Sequence, residues 1–180
     1  MTLSRPSPLP YLNAYSSSLQ DQVRDLLNQQ ALGKWLLNKY QNSHTINSDK
    51  ALFEFVQELK NEFMRNAPPL SKVAYDSQLK IIQHALGTHT TISRVQGNQL
   101  KAKREIKVAS LFKQTPLEFL RMIVVHELAH IKVREHDKSF YQLCTHMEPL
   151  YYQYELDLRL YLTYQDNALA TDKNLWLKSI

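Results

Sequence analysis

The chain has one cysteine, Cys144, and three glycines in 180 residues. A single thiol excludes an intrachain disulfide and any cysteine-based zinc ribbon. It stands among Tyr141, Leu143 and Met147, so it reads as a packed thiol rather than a nucleophile. So few glycines leave little room for a loop that cradles phosphates with its backbone. No apolar stretch approaches the ~20 residues needed to span a bilayer. Residues 1–19 carry Arg5, Pro6, Pro8 and Pro10 but no apolar core of a secretory signal. Repeats and low-complexity segments are also missing. These absences predict a cytoplasmic protein with no membrane association.

What remains is sufficient for one ordinary core, because 43% of the residues are hydrophobic. The formal net charge is +5, and it is unevenly spread. Arg94, Lys101, Lys103, Arg104, Lys107 and Lys113 face only Glu105 in the segment 94–113. Such a segment suits an anionic partner: nucleic acid, nucleotide or an acidic peptide. It also reads as a solvated strand edge guarded by lysines, which is the commoner arrangement.

Hydrophobic spacing predicts a helix from about 18 to 40, with Gly33 as its weak point, and a second over about 49–65 capped by Asn47 or Ser48. A shorter helix is expected over 74–85, ended by Gly87. Strands follow over 88–95 and 99–103 and from Ile106 to Leu111. Thr115-Pro116-Leu117-Glu118 then reads as a helix start, with Thr115 as N-cap and Glu118 closing a capping box. That helix runs to about 134 and is apolar on most of its first half, so it belongs in the middle of the domain. After it, Asp137 or Ser139 caps a helix, Pro149 interrupts it, and Tyr151, Tyr154, Leu158 and Tyr161 carry a core stripe onward.

The central helix bears His126-Glu127-Leu128-Ala129-His130. Two imidazoles four residues apart lie on one face and can grip a metal ion together. A glutamate beside the first can take a proton from a water that the metal polarises. His136 follows after five residues, enough to leave the helix, turn and return. Three protein ligands leave the open position that a catalytic Zn²⁺ requires. His146 and Glu155 compete with His136 for third ligand. Asp137, Glu148, Glu155 and Asp157 are candidates to orient the imidazoles through their other ring nitrogen. This constellation predicts a zinc hydrolase with Glu127 as general base, acting most directly on a peptide or protein. A nucleic-acid-associated module with a structural zinc is the non-enzymatic alternative.

The segment from Leu86-Gly87 to about Tyr164 resembles the YgjP-like metallopeptidase domain, a relative of the WLM and SprT-like families. The matching residues are Val124 to His130, His136, Phe140 and Pro149. Val133 stands where metzincins place a turn glycine, so the resemblance is not to them. It implies a minigluzincin-like α+β fold, a small mainly antiparallel sheet packed on an active-site helix. It also implies His126, His130 and His136 as zinc ligands and Glu127 as catalytic base. Members of that family have been described as nucleoside-triphosphate (UTP) pyrophosphatases, which gives a second expectation for the substrate. The expected organisation is a helical extension over 1–70, a zincin-like domain over 71–165 and a loosely packed tail over 166–180.

Overall fold

The computed structural model describes residues 9–79, 104–168 and 174–177. Helix α1 spans Ser17–Asn28 and begins where Ser16 Oγ accepts the Leu19 N–H. It ends in a Schellman turn: Gln30 N–H bonds Leu27 O, Ala31 N–H bonds Leu26 O, and Gln30 takes φ 55°. Helix α2, Leu32–Lys39, then starts afresh. The single helix expected over 18–40 is therefore two, and the break precedes Gly33. Gly33 has another use: a Cβ there would lie 2.7 Å from Tyr164 Cε2, so its missing side chain lets the Tyr164 ring approach. Helix α3, Asp49–Phe63, matches its expectation and is capped by Ser48.

Strands β1, Lys72–Asp76, and β2, Glu105–Ala109, pair in parallel, with Val73 opposite Ile106 and Tyr75 opposite Val108. This corrects two expectations. The described pair is parallel rather than antiparallel, and residues 74–76 are strand rather than helix. Val73 and Ala74 are both buried, α3 packs on this strand, and the backbone is committed to the ladder with β2. Parallel neighbours cannot be joined by a tight turn, and the connection here spans residues 77–104. The strands expected over 88–95 and 99–103, and the end of the 74–85 helix, lie outside the described residues.

Helix α4, Leu117–Ala129, buries Phe119, Leu120, Met122 to His126, Leu128 and Ala129. It is the central helix its composition predicts. Its start differs from expectation: Thr115 is fully buried and its Oγ1 donates to Phe112 O at 3.1 Å, so it does not cap, and Pro116 takes that position. Leu117 points outward. Helices α5, Lys138–Met147, and α6, Tyr151–Asn167, pack against α4. Their junction is fixed by Glu148, which accepts Arg121 Nε at 2.5 Å and Leu150 N–H at 3.1 Å. In α6 the fully buried Asp157 carboxylate is held by the Tyr40 hydroxyl, Gln153 Nε2 and Lys39 Nζ.

The described part of the C-terminal segment is not loose. Leu175 and Trp176 are buried, and Trp176 Nε1 donates to Tyr40 O at 2.7 Å. One cluster of buried apolar side chains runs from Leu9 to Trp176 through every described helix and both strands. Among the described residues, no helix is long and apolar enough to cross a membrane.

Candidate metal centre

Helix α4 delivers His126 and His130 from its last turn, and His130 occupies the closing position. The chain does not break away at once. Ile131, Lys132 and Val133 N–H groups bond back to Leu128 and Ala129 carbonyls, and the loop then brings His136 round before Asp137 caps α5 through the Phe140 N–H. Gln30 has the only positive φ among described non-glycine residues, so this turn needs no glycine at Val133.

The three imidazoles converge. Their Nε2 atoms are separated by 3.2 Å (His126 and His130), 3.1 Å (His130 and His136) and 3.1 Å (His126 and His136). Phe140, fully buried, forms the floor, with its ring centroid 4.9, 4.3 and 4.7 Å from those of His126, His130 and His136. His130 Nδ1 is 3.0 Å from Val133 O, which only accepts. That nitrogen is therefore the donor, and Nε2 of the neutral ring presents a lone pair to its two neighbours. Ligands bound at ~2.0–2.1 Å to one tetrahedral ion sit roughly 3.3 Å apart. The observed triangle is close to that size, so the donor set fits a divalent cation.

Glu127 is partly buried beside His126. Burial pushes its carboxyl up to about 8 from an ordinary 4.5. The consequence has a definite sign. Between pH 4.5 and 8 the folded metal-free protein keeps a proton that the unfolded chain releases, so this group's contribution to stability falls as pH rises through that window. Glu127→Gln lacks the ionisation. In chelator, the variant is expected to melt roughly 2–4 °C above the parent at pH 8, the shift that about 1 kcal/mol gives in a chain of this size. The gap should close near pH 5 and shrink when a divalent metal supplies the missing positive charge. Thermal melts across pH 5–8.5 with and without metal check this.

The rival ligands lie outside the cluster. His146 packs edge-on against Phe63 at 5.7 Å, and Glu155 is engaged by Arg159 at 2.8 Å. The carboxylates expected to orient the imidazoles have other duties. Asp137 caps α5, Glu148 pairs with Arg121, Glu155 with Arg159, and Asp157 is buried with Tyr40 and Lys39. Sequence reasoning missed Tyr151, the first residue of the tyrosine stripe, whose hydroxyl is 2.7 Å from His126 Nδ1. Of the basic segment, Lys107 is paired with Asp76 at 2.9 Å and Lys113 lies over the Tyr75 ring. Arg94, Lys101 and Lys103 lie outside the described residues.

With this geometry in place, comparison with known proteins identifies the family. The profile of the YgjP-like metallopeptidase domain matches residues 74–161, which include the whole histidine cluster. A protein of Escherichia coli (strain K12) named UTP pyrophosphatase is 56% identical to this chain over 157 residues, covering 87% of this chain and 94% of that protein. No solved structure gives a significant match. Identity of that extent, over almost the full length of the relative, is decisive for kinship: the chain belongs to the YgjP-like family.

Proposed function

We propose that this protein is a zinc-dependent hydrolase of nucleoside triphosphates, with His126, His130 and His136 holding the ion and Glu127 acting as general base. The convergence of three ring nitrogens beside a half-buried carboxylate supports the hydrolase reading. The 56% identity to a UTP pyrophosphatase supports the choice of substrate. A bound divalent cation supplies Lewis acidity and lowers the pKa of water toward ~7.

The chain's own residues then divide the work. The three imidazoles would hold the ion through their Nε2 atoms. Phe140 keeps water out from beneath them. Glu127 accepts a proton from the attacking water and passes it to the departing oxygen. Water adds to the α-phosphorus, the bond to the bridging oxygen breaks, and pyrophosphate leaves a nucleoside monophosphate. The basic stretch 94–113 supplies charge of the sign a triphosphate needs. A cytoplasmic setting suits such a substrate.

A second reading is a metallopeptidase with a zincin-like arrangement, and one observation favours it: the matched domain carries that description and the motif is the one peptidases use. Both readings share the same metal and base and differ in the bond attacked. Purified zinc-loaded protein incubated with UTP is expected to yield UMP and pyrophosphate in equal amounts and to leave casein intact. Cleavage of casein with UTP untouched would install the peptidase in its place.

A further inference from the structure

We propose that Tyr151 is the positioning residue of the metal centre: its phenol oxygen accepts the Nδ1–H of His126 and so fixes the tautomer that turns the Nε2 lone pair toward the ion. The inference rests on His126 being a metal ligand.

The geometry is specific. Tyr151 opens α6, twenty-five residues along the chain from His126, and its side chain is almost fully buried. The oxygen is 2.7 Å from Nδ1. The two rings are 14° from parallel with centroids 6.4 Å apart. At that separation they lie side by side rather than face to face, so the oxygen approaches Nδ1 near the imidazole plane, where an N–H points. A phenol can donate or accept, and the ion decides which: a neutral imidazole whose Nε2 offers its lone pair to a metal carries its proton on Nδ1. The phenol oxygen, 2.7 Å away, then offers a lone pair to that proton.

Metal-ligating imidazoles are commonly oriented by a carboxylate or a backbone carbonyl. Val133 O supplies the carbonyl for His130. A carboxylate at the position of Tyr151, which is almost fully buried, would add a buried negative charge. A phenol orients the ring without that charge.

The test compares three proteins by Zn²⁺ competition against a chromogenic chelator: the parent, Tyr151→Phe and His126→Ala. Tyr151→Phe keeps the ring and removes the acceptor. Its Zn²⁺ affinity is expected to fall about 10–100-fold. His126→Ala should fall further. Loss in His126→Ala with parental affinity in Tyr151→Phe overturns the positioning role alone. Parental affinity in His126→Ala overturns the ligand assignment beneath it. A measurement on the unaltered protein needs no variant: ring ¹⁵N spectra of the metal-free chain at pH 8 should show His126 as the Nδ1–H tautomer. A predominant Nε2–H tautomer overturns the proposal.

Discussion

Glu127→Gln is expected to retain stoichiometric zinc and lose about 10²- to 10⁴-fold in kcat, the usual worth of a positioned proton acceptor. The amide is nearly isosteric, and among the described residues no hydrogen bond to the Glu127 carboxylate would be broken. Metal content and KM should therefore stay near the parental values while kcat collapses. Quantifying pyrophosphate release together with bound metal separates this from simple loss of the ion. Undiminished turnover in a zinc-replete Glu127→Gln protein would remove the carboxylate from the mechanism and leave the hydrolase reading without a base.

The second large effect concerns the third ligand. His136→Ala is expected to weaken zinc binding by more than the ~100-fold that marks the upper range for outer-shell partners, with turnover falling to background. His136 is exposed and sits on a loop, so the fold should survive, and the metal-free melting temperature should barely move. His126→Ala lacks that convenience, because His126 is buried against Phe140 and Tyr151. A His146→Ala control discriminates further. If it loses the metal while His136→Ala keeps it, the ion sits elsewhere.

The central helix was legible from the sequence because its composition admits one environment. A helix apolar on nearly every side must be buried, and two histidines and a glutamate at its end need a reason to be there. Loop length allowed the return of His136 but left His146 and Glu155 as rivals, and the geometry of the cluster brings His136 in. The rest was hidden for identifiable reasons. Residues 72–76 carry buried positions that serve a short strand as well as a helix turn, and only the ladder to Glu105–Ala109 decides between them. Alternation in 105–109 predicts a strand but not its partner or direction, which are set across a connection of many residues. The break after α1 depends on Gln30 adopting a left-handed conformation, and glutamine advertises no such preference. Tyr151 was visible as a core residue. Periodicity shows that a side chain faces inward, though not which nitrogen it meets there.

The closing position of His130 on α4 has an electrostatic consequence. Peptide dipoles along a helix accumulate about half a unit of negative charge at its carboxyl end. His126 and His130 stand in that last turn, so the peptide field around them favours a cation over an anion. On the proposed reading, a triphosphate would meet an unfavourable potential there until an ion has bound and reversed it. Metal would then enter first and anion second, and a chelator would be expected to weaken nucleotide binding as well as turnover.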